Sequence, residues 1–279
     1  MINKKNNRTS AAQKRVRLQN ERSKLLNPSS PFAVKEAYVQ LRTNMLFSVA
    51  PTSSDSSKVF AVSSSNPKEG KSITASNIAI SFAMMEKKTL LVDCDMRKPN
   101  VHRLWGLDSG KGMSNLLTSI DECIVHKVKN LPLDIITAGK IPPNPSELLS
   151  SAKFAQAVAK FRELYDIVII DTPPVNEVAD CSICAQHIDG IVFLVRAGAT
   201  QTYEVKNALE CLEQNASKIC GILVNGADPK IEKYSYRSGY YKRGHYRKKG
   251  NKYGTYNYRN YMRGYGNYGN YGSGYDKTK

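Results

Sequence analysis

A short apolar segment, Val59–Ser63, runs through Ser64-Ser65-Asn66-Pro67-Lys68-Glu69-Gly70-Lys71-Ser72 into a helical pattern that reaches about Glu86. No other feature restricts the fold as much as this strand, loop, Gly-Lys-Ser and helix in direct succession. It is the setting of a phosphate-binding loop, in which backbone N–H groups at the helix start, aided by the helix dipole, bind phosphate oxygens. Lys71 is then placed to reach the β- and γ-phosphates, and the Ser72 hydroxyl to coordinate Mg²⁺. Pro67, Glu69, Gly70 and Ile73 complete the nucleotide-binding stretch. Ser65 stands where such loops usually begin with glycine.

Helical and extended patterns alternate around this loop. Ala33, Ala37, Leu41, Met45 and Val49 recur at helical spacing, so residues 31–50 are predicted to form an amphipathic helix, ended by Pro51 and a Ser-rich stretch. Strands are predicted at Thr89–Asp93, Leu133–Thr137, Ile167–Asp171, Ile191–Val195 and Ile219–Val224. Helices are predicted at Gly112–Thr118, at Ser146 to about Tyr165 and at about Thr202–Gln214, with Pro142-Pro143-Asn144-Pro145 a rigid loop. The strands are continuous apolar runs, not alternating ones, which predicts burial on both faces. The repetition of strand and helix predicts an α/β fold: a mostly parallel, doubly wound sheet of the P-loop NTPase type, covered by helices.

Two strands end in carboxylates. Leu90-Leu91-Val92-Asp93-Cys94-Asp95 places two acidic residues at a strand's C-terminal end, where a doubly wound sheet keeps its ligand crevice. At strand spacing, residues i and i+2 point to one side, so Asp93 and Asp95 are expected to act together on a metal and on an attacking hydroxyl. Ile167-Val168-Ile169-Ile170-Asp171 ends in the same way, as a Walker B metal carboxylate does. Cys181-Ser182-Ile183-Cys184 reads as two small apolar residues on one helix face, because no second ligand pair at zinc spacing accompanies it. The six cysteines match no secreted disulfide framework, which fits a reducing compartment.

The chain carries a formal net charge of +17, unevenly spread. Residues 1–30 hold net +7, residues 230–279 net +11, and residues 31–229 net −1. Thirteen of the 16 tyrosines and nine of the 18 glycines also lie in 230–279, where repeats such as Tyr265-Gly266-Asn267-Tyr268-Gly269-Asn270-Tyr271-Gly272 have no aliphatic partners. The expected organisation is a disordered basic arm over 1–30, a folded domain over 31–228, and a disordered Tyr/Gly/Lys/Arg-rich tail over 229–279. No apolar run approaches the roughly 20 residues of a membrane span, and no apolar segment follows the basic N-terminus as a secretory signal requires.

Four motifs in order make the pattern specific: Pro67-x-Glu69-Gly70-Lys71-Ser72, Asp93-x-Asp95-x-Arg97-Lys98-Pro99, Ile141-Pro142-Pro143-Asn144-Pro145-Ser146-Glu147-Leu148-Leu149, and Asp171-Thr172-Pro173-Pro174. Over residues 31–228 the chain resembles the bacterial tyrosine kinases, in particular the capsule and exopolysaccharide type of Gram-positive bacteria, where the kinase is a separate soluble chain ending in a tyrosine cluster. The resemblance implies an ATP- and Mg²⁺-dependent protein-tyrosine kinase that phosphorylates its own C-terminal cluster, between subunits, and regulates surface-polysaccharide synthesis. It implies Lys71, Asp93, Asp95 and Arg97 as catalytic, with Asp93 accepting the tyrosine proton and Arg97 contacting phosphate. Ser72, Asp95 and Asp171 would serve the metal, and Asn225 would read the purine. The phosphoacceptors would come from Tyr234, Tyr236, Tyr240, Tyr241, Tyr246, Tyr253, Tyr256, Tyr258, Tyr261, Tyr265, Tyr268, Tyr271 and Tyr275. The implied partners are a membrane activator of the polysaccharide chain-length-regulator type, a cognate tyrosine phosphatase and further copies of the chain. The implied location is the cytoplasm, at the inner membrane face through the activator.

Two positions depart from the family pattern. Lys68 stands where the family often has glycine, making the loop stiffer and more positive. The family's subunit-contact motif Glu-x-x-Arg-x-x-Arg reads here Glu36-Ala37-Tyr38-Val39-Gln40-Leu41-Arg42, with Val39 in place of the first arginine. Two other functions share some of these features. A cargo-positioning ATPase of the partitioning or septum-site type has the same Walker elements, but usually carries a second lysine where this chain has Ser64 and Ser65. A basic Tyr/Gly/Arg tail on an ATPase core can also stack on single-stranded nucleic acid, though the acceptor reading disfavours nucleic acid as a partner.

Overall fold

The computed structural model describes residues 13, 15–49, 57–118 and 123–227. The chain divides into two units, Met1–Pro229 and Lys230–Lys279, and every described residue belongs to the first. The predicted tail, with its thirteen tyrosines, lies outside the described residues, as do residues 1–12 of the predicted arm.

Apolar runs and helical periods resolve into α1 (Phe32–Ser48), β1 (Lys58–Ser64), α2 (Lys71–Ala83), β2 (Thr89–Asp93), α3 (Val101–Trp105), α4 (Met113–Thr118), β3 (Val125–Lys127), β4 (Leu133–Ile136), α5 (Pro145–Leu149), α6 (Ala152–Leu164), β5 (Ile167–Asp171), α7 (Asp180–Cys184), β6 (Gly190–Arg196), α8 (Thr202–Cys211) and β7 (Ile219–Asn225). The seven strands form one sheet in the order β3-β4-β2-β5-β1-β6-β7. All neighbours run parallel except β3, which pairs antiparallel with β4 at the edge.

The period of two along each strand divides the apolar side chains between two cores. Val59 and Ala61 of β1 face a core shared with Phe154, Val158 and Phe161 of α6 and Cys181 and Cys184 of α7. Phe60 and Val62 face the opposite core, with Ala75, Ile78 and Phe82 of α2 and Met45 of α1. Each fully buried aliphatic or aromatic side chain contributes about 1.5–3 kcal/mol relative to exposure, so a sheet covered on both faces gains twice from one set of strands. The Cys181-x-x-Cys184 pair lies in one core, as expected for one helix face, and burial raises both thiol pKa values.

Several expectations need correction. The predicted helix from Ser146 to Tyr165 is two helices, because Ser151 adopts an extended backbone and caps α6 by accepting the Phe154 N–H. The last apolar run is not buried on both faces: β7 is an edge strand with Ile222 and Val224 about half exposed, at 50% and 53%. A run of apolar residues carries no information on which strand ends the sheet. The short elements β3, α3 and α7 are too brief to leave a period in the sequence.

The described part of the predicted disordered arm is structured. Residues 15–22 are helical, and Leu26 is buried. The Leu26 N–H donates to Asn77 Oδ1 (2.8 Å), while Asn77 Nδ2 donates to the Lys24 carbonyl (3.0 Å). Arg22 donates twice to the Arg103 carbonyl near the end of α3. Leu26, the Asn77 amide and the Arg22 guanidinium together tether a segment whose composition reads as unfolded. Nearby, Arg42 of the altered subunit-contact motif donates to the Ser81 carbonyl (2.6 Å) and hydroxyl (3.0 Å) of α2, within its own chain.

Candidate active site

The ends of β1, β5 and β2 lie side by side, with Val62 opposite Asp171 and Asp93 opposite Asp171 in the parallel register. The nucleotide loop leaves β1 at this edge. Ser64 Oγ donates to the Asn66 carbonyl (2.8 Å), and the Asn66 N–H donates to Glu69 Oε2 (3.1 Å). Glu69 Oε1 accepts from the Thr200 hydroxyl in the turn after β6. Lys68 holds a left-handed backbone at φ 66°, a conformation that favours glycine, and its carbonyl accepts from Arg196 Nη1 (3.0 Å). Lysine thus occupies a backbone conformation that favours glycine, with its carbonyl held by Arg196. Gly70 precedes α2 at φ 103°, and a methyl group there would collide with the Asn225 side-chain amide. That amide donates to the Glu69 carbonyl (2.7 Å), so Asn225, expected at the purine, sits against the loop itself.

Lys71, Ser72 and Ile73 open α2, and Lys71 is nearly buried. Asp171 is close to it, and Asp93 and Asp95 neighbour Asp171 in turn. Asp171 is fully buried, and neither of its side-chain oxygens has a hydrogen-bond partner among the described residues. Burial raises its pKa to about 7, against the Lys71 ammonium and Ser72 hydroxyl, which pull it down. A buried carboxylate with both oxygens unsatisfied beside a serine hydroxyl is a donor set that fits a hard divalent cation.

Asp93 is also fully buried. Its Oδ1 accepts from the Asp95 N–H (3.1 Å), and its Oδ2 accepts from the N–H groups of Asn100 (3.2 Å) and Val101 (3.1 Å). Burial, then the charges of Asp171 and Asp95, hold its pKa well above the usual carboxylate range, opposed by the backbone donors. Asp95 lies beyond the end of β2, so the expected strand spacing of the pair is replaced by a turn. Its Oδ1 accepts from the Lys98 N–H (2.9 Å), and it retains 6% exposure where Asp93 has none.

The Arg97 guanidinium binds Asp180 and Ser146. The sequence motifs do not reveal Asp180, Thr200 and Arg196 as parts of the site. Each of these polar residues lies in a loop, at a strand end or at a helix start, outside any recognisable spacing, and only the fold brings it to the crevice.

Comparison with known proteins agrees with this geometry. Residues 57–192 match the AAA domain family AAA_31. The chain is 39% identical to the tyrosine-protein kinase YwqD of Bacillus subtilis over 208 residues, covering 74% of this chain and 85% of that one. It is 36% identical to the putative tyrosine-protein kinase CapB of Staphylococcus aureus, covering 69% and 84%. The crystal structure of the chimerical protein CapA2B2 superposes with a TM-score of 0.64 at 36% identity, covering 71% of this chain and 86% of that one. The P-loop, the acidic strand ends and these relatives agree, and the cargo-positioning alternative falls behind: the chain belongs to the bacterial protein-tyrosine kinases.

Proposed function

We propose that the chain transfers the γ-phosphoryl group of ATP to tyrosines of its own C-terminal cluster, between copies of itself, and in this way regulates capsular or exopolysaccharide synthesis. The observation that carries this reading is the unsatisfied buried carboxylate of Asp171, set beside Lys71 and Ser72 at the N-terminus of α2. Backbone N–H groups of the loop and the Lys71 ammonium would hold the phosphates. Ser72 and Asp171, with Asp95, would hold Mg²⁺, which when bound neutralises phosphate charge and orients the γ-phosphoryl group. A phenol has a pKa near 10, so transfer needs a carboxylate to take its proton. The Asp93–Asp95 pair supplies it, with Asp95 the more accessible member. Asn225 and Arg196 keep the loop in its binding shape through the carbonyls of Glu69 and Lys68.

Among the described residues, no helix is long and apolar enough to cross a membrane. A membrane activator of the chain-length-regulator type would then bring the kinase to the inner membrane face, and a tyrosine phosphatase would reverse the reaction. The test is incubation with ATP, with and without the activator's cytoplasmic segment, followed by mass spectrometry of residues 230–279. Phosphotyrosine is expected there, and none in Lys71→Met. Free phosphate without phosphotyrosine would instead favour a cargo-positioning ATPase.

A further inference from the structure

Asp180, the first residue of α7, is an acidic side chain with no exposed surface, and none of the roles above uses it. Its Oδ2 accepts from Arg97 Nε (3.0 Å), and its Oδ1 accepts from Ser146 Oγ (2.6 Å) and Arg97 Nη2 (3.3 Å). Arg97 Nη2 also donates to Ser146 Oγ (2.7 Å), which closes a triangle of three side chains. The hydrogen bonds to Asp180 raise the Arg97 pKa, as expected of a guanidinium paired with a carboxylate.

The three residues come from three different loops. Arg97 follows β2, Ser146 is the second residue of α5 after β4 and a proline-rich turn, and Asp180 follows β5 and Thr172-Pro173-Pro174. The order β4-β2-β5 makes these strands neighbours, so the triangle ties together adjacent loops at the C-terminal edge of the sheet. The middle loop carries Asp95, whose Oδ1 accepts from the Lys98 N–H (2.9 Å). Residues 95–98 are thereby pinned at one end by Asp95 and from within by Arg97. The nucleotide loop leaves β1 and is braced by Arg196, Thr200 and Asn225, and by the Val175 and Asn176 N–H groups on its Ser64 and Ser65 carbonyls. A buried ion pair contributes little net stability over an apolar replacement, so what this network supplies is geometry.

We propose that Asp180 is a positioning residue for phosphoryl transfer, acting through Arg97 and Ser146 to set the acceptor carboxylates without touching the nucleotide. This inference rests on the kinase reading above. It assigns Arg97 to loop placement instead of phosphate contact. Displacement of a catalytic group by about 1 Å can cost on the order of a hundredfold in rate.

The test uses the full chain, under conditions in which the wild type labels its tail, with Asp180→Asn, Arg97→Gln, the double variant and Ser146→Ala. Two quantities are read: the phosphotyrosine formation rate at saturating ATP, and the affinity for a fluorescent ATP analogue. Asp180→Asn and Arg97→Gln are each expected to lower the rate about 10–100-fold, with the double variant no slower than the worse single, as groups acting in one unit are non-additive. Ser146→Ala is expected to lower it about 3–10-fold, as for loss of one of several hydrogen bonds. Nucleotide affinity is expected to stay within about twofold, because none of the hydrogen bonds of the triangle reaches the loop that binds it. The proposal is overturned by an Asp180→Asn rate equal to wild type, by additive losses in the double variant, or by nucleotide affinity falling in step with rate. If Asp180→Asn does not fold, an unchanged rate in Ser146→Ala overturns it. A wild type that forms no phosphotyrosine strikes at the kinase reading, whereas an active wild type with a fully active Asp180→Asn strikes only at this inference.

Discussion

At the scale of the residue, the buried carboxylate of Asp171 sets its proposed metal-binding role against stability. Its pKa of about 7 lies far above the ordinary carboxylate value, with burial as the leading cause. A group whose folded pKa is raised stabilises the fold at pH below its unfolded value, and that contribution is lost as pH rises through about 7. A tenfold change in proton affinity between the folded and unfolded chain corresponds to about 1.4 kcal/mol. Asp171→Asn keeps the shape and removes the charge. In protein free of nucleotide and Mg²⁺, it is expected to stabilise more at pH 8 than at pH 5, by on the order of 2–3 kcal/mol, while phosphotyrosine formation is lost. Thermal melts at the two pH values check the first statement, and equal gains at both would contradict the raised pKa. Asp171 is legible in the sequence as an acid closing an apolar strand. Its missing partners are not, because hydrogen-bond satisfaction depends on groups brought in from α2.

At the scale of the element, the main helices and strands are readable from their periods, and the errors fall where a local polar group outweighs a period. Ser151 interrupts a helical pattern by capping α6. Asn77 does the reverse, fixing an arm that lacks a pattern. Its side chain binds the Leu26 N–H, the Lys24 carbonyl and the Tyr38 hydroxyl, which joins the arm and α1 to the helix that starts at Lys71. Asn77→Ala leaves a buried N–H unpaired and is expected to cost about 1–3 kcal/mol. Limited trypsin digestion should then cut at Lys24 sooner than in the wild type, while affinity for the ATP analogue is kept. An unchanged cutting rate would mean that the tether lies elsewhere. Arg42 teaches a related lesson: a motif residue expected at a subunit contact is satisfied within the chain by Ser81.

At the scale of the whole molecule, charge is the quantity that phosphorylation changes. Residues 230–279 carry net +11 and thirteen tyrosines. Each phosphotyrosine adds about −1.5 to −2 charges, so about six or seven cancel the tail's charge and all thirteen reverse it. Phosphorylated protein should leave a cation exchanger at lower salt and bind anionic vesicles more weakly. A variant with all thirteen tail tyrosines replaced by Phe should show neither change after ATP treatment. Vesicle binding that stays constant through phosphorylation of the wild type would count against an electrostatic switch. The sequence by itself determined the parallel α/β plan, the phosphate-binding loop, the acidic strand ends and the charged tail, because each depends on residues adjacent along the chain or spaced by a secondary-structure period. Only the tertiary structure decided which strand is an edge, that the arm is tethered, that Arg97 belongs to Asp180, and that Asp171 is unsatisfied. Those facts are set by contacts between residues 28 to 83 positions apart or by the groups around a buried oxygen, and no period in the sequence records them.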